Sequence, residues 1–300
     1  MTQIRTPILI PYLIACAGIA LFSAMDAVMK GLSIAIGVYN AMFWRVALGT
    51  IIGGIIFFAR ASPWPSRAVL KIHFRRGVII SIMATSFFWG IARVPLAEGI
   101  ALSFIAPLIT LYLAAILLGE VIRPQAIIAS LIGVVGVLVI LSGRIGGDHR
   151  PDALWGIGAI LMSAVFYAYN LVLQRQQAQV STPVEVAFFQ SFMVLCVLGL
   201  AAPFLAVLPA PDHYMAICTA ALLATISVSL LSWAYARAEA QVLVSVEYTA
   251  FIWAALFGRI IFDEAVTTQT FIGTALIVGA SIIATRTKPL KPAQVELTPS

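Results

Sequence analysis

LFSAMDAVMK, residues 21–30, closes a long apolar run with an acid and a base four positions apart. Shifted by 144 residues it lies over VFYAYNLVLQ, residues 165–174, pairing Phe22 with Phe166, Ala24 with Ala168, Asp26 with Asn170 and Val28 with Val172. The same shift sets Trp89 on Trp233, Ala92 and Arg93 on Ala236 and Arg237, and Glu120 and Gln125 on Glu264 and Gln269. One further residue of shift lays FWR (43–45) over FFQ (188–190). Chance matches are easy in an apolar chain, where few residue types dominate. Polar and tryptophan matches recurring at nearly one offset point instead to a duplication.

What is duplicated follows from composition. Hydrophobic residues make up 62% of the chain and charged residues 10%, with a mean hydropathy of +1.04. That balance excludes an ordinary soluble domain and describes a polytopic membrane protein. A helix of about 20 apolar residues crosses a hydrocarbon core of about 30 Å. Hydropathy predicts ten such helices, at 9–29, 38–59, 77–93, 96–118, 125–142, 153–173, 184–208, 214–236, 240–262 and 268–286.

Each copy then holds five crossings, an odd number, so the second must enter the bilayer from the opposite side. The predicted fold is an all-α membrane protein of ten transmembrane helices in two inverted five-helix repeats. Residues 9–142 form the first repeat and 153–286 the second, between a cytoplasmic N-terminal segment (1–8) and a disordered, polar, Pro-rich cytoplasmic tail (287–300). Inverted repeats can enclose a cavity that opens to alternate sides.

The net charge of +6 would suit nucleic acid only if the basic residues clustered on one face, but they sort by side of the membrane. With the N-terminus inside, the inner segments carry Arg5, the run Arg60, Arg67, Lys71, Arg75 and Arg76, then Arg123, Arg175, Arg237, Arg286, Lys288 and Lys291. The outer segments carry only Lys30, Arg93, Arg144 and Arg150. The positive-inside rule therefore puts both termini in the cytoplasm, with the basic loop 60–76 lying along anionic lipid. The apolar run at the N-terminus is too long for a cleaved signal and is expected to be retained.

Cys16, Cys196 and Cys218 sit in apolar segments without metal-ligand spacing, and His73, His149 and His213 read as loop residues far from acidic clusters. Neither a metal nor another cofactor is expected. No P-loop, Ser/His/Asp set or H-E-x-x-H motif supports ATP use or hydrolysis, so the chain does not read as an enzyme.

LLGEVIRPQAIIASLIGVVGVLVI and IFDEAVTTQTFIGTALIVGASII close the two halves, Asp26 and Asn170 end the first helix of each, and Arg45 follows an aromatic in the second helix. In these features the chain resembles EamA-type members of the drug/metabolite transporter superfamily over residues 9–286. It is most similar to bacterial exporters of amino acids and related metabolites. The resemblance implies an inner-membrane exporter, a central substrate cavity flanked by the fourth and ninth helices, and a small-molecule cargo. Where that family often carries Pro at the ninth helix, this chain has VEYTAFIWAALFG.

Candidate site residues are the polar and aromatic groups at depth. Charges in hydrocarbon cost about 2.5–3.5 kcal/mol at a span centre and need partners. Arg45 falls at a similar depth to Asp26, and Lys30 lies on the same helical face as Asp26 but close to the outer surface; the three can compensate one another, as a structural cluster or an outer gate. Their counterparts Asn170 and Gln190 are neutral, so the same charged lock is not expected at the inner end. Glu247, with no base at helical spacing on its span, is a candidate for proton or ammonium binding. Glu98, Glu120, Glu239 and Glu264 read as span-end caps. Arg45 would meet a carboxylate, and Trp44, Phe88, Trp89, Tyr112, Tyr169, Tyr248 and Trp253 an apolar or aromatic side chain. Trp44, Trp89 and Tyr167 fit an interfacial belt equally well. Pro107 should bend the fourth helix. The G-T-I-I-G of 49–53 and the Gly133/Gly136 pair read as ordinary close packing within the chain.

The cargo expected first is an amino acid with an aromatic or other apolar side chain, driven outward by its own gradient or by protons. A larger flat metabolite or drug is the alternative cargo. A receptor without transport is the alternative from another class.

Overall fold

The structure, a computed structural model, describes residues 9–118, 124–143, 152–178, 180–235, 237 and 246–285. The expectations for 1–8, 287–300, Glu120 and Glu239 lie outside them. All described elements are helices: α1 Leu9–Ile36, α2 Val38–Ala59, α3 Arg67–Ile91, α4 Leu96–Ser103, α5 Ala106–Leu118, α6 Pro124–Ser142, α7 Ala153–Ala178, α8 Pro183–Gly199, α9 Ala202–Leu205, α10 Tyr214–Tyr235, α11 Ala250–Phe262 and α12 Thr268–Thr285. Helices are what apolar spans must form, since each backbone N–H and C=O finds its partner within the segment. With α4 and α5 as halves of one crossing and α9 a surface turn, these make ten crossings in two inverted sets of five. Leu131, Leu154, Ile55 and Phe58 are among the large side chains left outward, toward lipid.

The packing carries the duplication. α1 packs along α10 and α3 along α7, contacts that exchange under the repeat; α2 against α8 and α6 against α12 each map onto themselves. A Cβ added at Gly90 would stand 2.6 Å from the Gly156 carbonyl oxygen, and one at Gly136 2.8 Å from that of Gly273, so the α3/α7 and α6/α12 crossings need hydrogen there. Arg93 lies over the Trp89 ring at 3.4 Å and donates to the Trp89 carbonyl at 2.8 Å. Arg237 does the same with Trp233, at 4.1 and 3.2 Å.

The helix breaks repeat too. The fourth crossing is interrupted at Phe104 and Ile105, and 144 residues later the ninth is interrupted at Tyr248 and Thr249. Pro107 lies just beyond the first break, in the first turn of α5, where its missing N–H costs nothing. The second break has no proline; there Thr249 Oγ1 donates to the Val246 carbonyl at 2.6 Å. The Phe104 and Tyr248 rings meet edge to face at 5.2 Å. Equivalent residues that touch must lie at the axis relating the two halves, so the two broken helices cross there.

Four boundaries differ from the sequence reading, the first being α1, which runs on to Ile36 rather than stopping at 29. α3 starts at Arg67, ten residues before the predicted span, because Ser66 caps it by accepting from the Val69 N–H at 3.4 Å. His73 and Arg76 are therefore helical, not loop residues. α7 runs on to Ala178, and α8 stops at Gly199 rather than at 208.

Candidate functional site

Two ends of the bundle frame the site. One, the Lys30 end, gathers the end of α1, the start of α2 and the turns between α3 and α4 and between α11 and α12. The other, the Arg76 end, gathers the start of α3, the end of α7 and the start of α8.

Between them sit opposite charges with unfilled valences. Asp26 on α1 is 2% exposed, and its Oδ1 has no hydrogen-bond partner. Arg45 on α2 lies within electrostatic reach of it. The Arg45 Nε is also buried without a partner, while its Nη2 approaches Met42 Sδ at 3.6 Å. A buried polar group left unpaired costs about 1–3 kcal/mol, and more when charged. Both atoms therefore call for water or a polar solute.

The second half explains why Asp26 is left open. Its counterpart Asn170 accepts from Arg76 Nε at 3.0 Å. The residue at the repeat position of Arg76 is Ala220, fully buried on α10. One half thus brings an arginine to this position from its third span and the other brings a methyl group.

More groups converge on the same interior. Tyr167, on α7, lies within electrostatic reach of Glu247, Asp26 and Arg76, so it links four spans. Gln190 on α8, the counterpart of Arg45, buries its Oε1 without a partner. Sequence alone left Tyr167 between cavity and interface; its neighbours put it in the interior.

Other candidates are engaged elsewhere. Lys30 pairs with Glu264, and its Nζ also donates to the Val94 carbonyl at 2.7 Å. Trp44 Nε1 donates to the Val207 carbonyl at 2.8 Å, pinning the strap after α9. Trp89 lies under Arg93 at the end of α3. Tyr169 OH accepts from Arg75 at 3.2 Å at the Arg76 end. Phe88 is buried in the main core, Trp253 stacks on Phe257 beside α1 and α10, and Tyr112 is half-buried on α5.

The Arg76 end holds a network that the sequence reading missed. Arg76 donates to Asn170, to Gln177 Oε1, and to Gln174 Oε1 at 3.3 Å. Held by Arg76 on its oxygen, the Gln177 amide turns its NH₂ to His73 Nδ1, 2.6 Å away. His73 Nδ1 is then the acceptor, and Nε2–H donates to Glu185 Oε1 at 2.8 Å. Ser181 adds a bond to Glu185 at 2.9 Å. Burial holds the His73 imidazole below its ordinary 6.5, against the upward pull of Glu185 and with a further push down from Arg76. The expectation that His73 stood far from acids is corrected: an acid 112 residues away reaches it through the fold. The available signal was the amide stripe Asn170, Gln174 and Gln177, at helical spacing on one face. Among the described residues no His/Cys/Asp/Glu group has the geometry to hold a metal.

A family model described as the EamA-like transporter family matches residues 9–142 and 154–286. The chain belongs to this family. It is a multi-pass membrane transporter. It is 28% identical to a pseudopaline exporter of Pseudomonas aeruginosa, over 89% of this chain and 93% of that one. A S-adenosylmethionine uptake transporter of Rickettsia bellii is 23% identical over 87% and 88%. An aromatic amino acid exporter of Ancylobacter novellus is 26% identical over 66% and 70%.

Proposed function

We propose that this transporter exports small zwitterionic metabolites, foremost amino acids with aromatic or other apolar side chains, across the bacterial inner membrane by alternating access. Both chain ends are then cytoplasmic, the Arg76 end faces the cytoplasm and the Lys30 end the periplasm. The supporting observation is that Asp26 and Arg45, opposite charges within electrostatic reach of each other, each bury an unpartnered atom. An α-amino acid presents an ammonium for Asp26 and a carboxylate for Arg45. Its side chain would lie against Tyr167 and the Phe104/Tyr248 contact at the crossing of the broken helices, the arrangement from which transporters build midplane sites.

Magnitudes fit a transporter. Hydrogen bonds to charged groups contribute about 1.5–3 kcal/mol each, so two give about 3–6 kcal/mol, near millimolar affinity. A cargo held no tighter is released readily. The uptake of S-adenosylmethionine by one relative, a larger amino acid bearing a flat base, supports the same end-group recognition with a roomier side-chain region and the opposite direction.

The test is flux in proteoliposomes loaded with labelled phenylalanine, tryptophan, leucine or S-adenosylmethionine, with and without a pH gradient. Efflux of the zwitterions, with their amides or N-acetyl derivatives excluded, is expected. Equal flux of blocked and unblocked forms would overturn the assignment of Asp26 and Arg45.

A further inference from the structure

Lys30 and Glu264 are the one place among the described residues where a buried lysine on one span meets a carboxylate from the opposite half. Lys30 is buried and Glu264 partly exposed, with side-chain exposures of 3% and 21%. The contact joins three separate pieces. Lys30 donates to the Val94 carbonyl, and Glu264 Oε2 accepts from the Leu96 N–H at 2.8 Å, so both charges also grip the turn between α3 and α4. Phe262 covers the ammonium, its ring centre 5.0 Å away, and withholds water from it.

The backbone is shaped to deliver the carboxylate. Asp263 takes a left-handed conformation with φ of 53°, and the chain doubles back so that the Glu264 N–H donates to the Gly258 carbonyl at 3.0 Å. A Cβ at position 258 would stand 3.2 Å from Glu264 Oε2. The repeat counterpart of Asp263 is Gly119, the residue that adopts this conformation at least cost. Glu264 does not cap its own helix α12; by accepting from the Leu96 N–H, the first of α4, it caps that helix across the fold, and the same carboxylate meets Lys30.

At the repeat positions of Lys30 and Glu264 stand Gln174 and Glu120. The other end therefore cannot form this ion pair, and Gln174 accepts from Arg76 instead. The pairing is built on one side only.

We propose that Lys30 and Glu264 form the latch of the Lys30 end, and that release of Glu264 from Lys30 and from the α3–α4 turn is the step that opens that end. The ion pair and its two backbone bonds hold this end shut while cargo loads from the other. Opening separates the α11–α12 turn from α1 and exposes the small space beneath Glu264, about 10 Å³, lined by Glu98, Ala254 and Gly258. Glu264 is thus a gating residue that positions the helices and does not itself meet cargo. The inference rests on the alternating-access reading but not on the identity of the cargo.

The experiment uses Ala254→Cys, 1% exposed in the latched form, in a background with Cys16, Cys196 and Cys218 replaced. A membrane-impermeant maleimide is added from the Lys30 side of intact vesicles. Glu264→Gln and Lys30→Met should each speed labelling by about tenfold or more, because removing one partner leaves the other charge buried and unpaired. The double variant should label no faster than the faster single, since the pair acts as a unit. Unchanged rates in both singles, or effects that multiply in the double, would overturn the latch. Lys30→Met carries the test alone should Glu264→Gln fail to accumulate. Because labelling needs no substrate, fast labelling in a protein that moves no amino acid would remove the cargo assignment and leave the latch standing.

Discussion

The Lys30 and Arg76 ends occupy equivalent positions in a duplicated bundle, yet they are closed by different chemistry. At the Lys30 end the Lys30–Glu264 ion pair ties α1 to two turns, and Arg93, in one of those turns, pairs with the part-exposed Asp152 before α7 at 3.4 Å. At the Arg76 end one arginine and one histidine reach four neutral or acidic side chains on α7 and α8. Under the 144-residue shift Arg76 becomes Ala220, His73 becomes Ile217 and Gln177 becomes Ser33, all buried; under the 145-residue shift of the second helices Glu185 becomes Asn40. At the positions of the Arg76 network the other end has apolar or small buried side chains, and its ion pairs are built from different residues. Duplication preserved what sets the backbone: the Trp–Arg caps, the helix breaks and the paired crossings. It did not preserve the buried charges. A symmetric scaffold with unequal locks has a preferred resting state.

The largest break in the comparison should come from the open pair between the ends. Asp26→Asn or Arg45→Gln should lower zwitterion flux by about two orders of magnitude, as truncating one member of a buried charge pair costs about 2–5 kcal/mol. Initial rates in proteoliposomes check this, and the double variant should be no worse than either single.

Next in size is Arg76→Ala, which strands the amide oxygens of Asn170, Gln174 and Gln177. A loss of about 3 kcal/mol is expected from such a buried network, read as a lower melting temperature in detergent. Ala220→Ser, at the equivalent position, should leave melting nearly unchanged.

Asn170→Asp sharpens the contrast by giving the Arg76 end an ion pair of its own. Flux should fall several-fold while melting rises, because a tighter inner lock slows loading. Faster flux would contradict the idea that lock strength limits the cycle.

A smaller effect belongs to pH. The folded protein holds His73 below 6.5, so the unfolded chain takes up the proton first. The stabilising contribution is complete above 6.5 and is lost as pH falls below it, levelling off under the depressed value. Protonation would also place a hydrogen on Nδ1 against the Gln177 NH₂. Acidification should thus loosen the Arg76 end, and His73→Asn should flatten the difference between melting curves at pH 7.5 and 5.5. Smallest of all, Trp89→Leu removes one cation–π contact and should cost about 0.5–1 kcal/mol.

The spans, the duplication and the family were legible because they rest on signals that survive in one dimension: apolar runs, an odd number of crossings per copy, and polar matches at a fixed offset. Asp26 and Arg45 stood out for the same reason, as rare charges at depth. Partners did not. Lys30 lies four residues from Asp26, and helical spacing alone favours their pairing, but the α11–α12 turn brings in Glu264 from 234 residues away. His73 and Arg76 read as part of a lipid-facing basic loop until the Ser66 cap extends α3 and packing against α7 buries them.

By itself the sequence determined which segments enter the membrane and that they come as two opposed copies, because the cost of exposing polar backbone to hydrocarbon leaves a chain of this composition little choice. Only the tertiary structure decided which charge meets which. That choice depends on contacts between residues tens to hundreds of positions apart, fixed by how ten helices cross, and no local pattern along the chain encodes it.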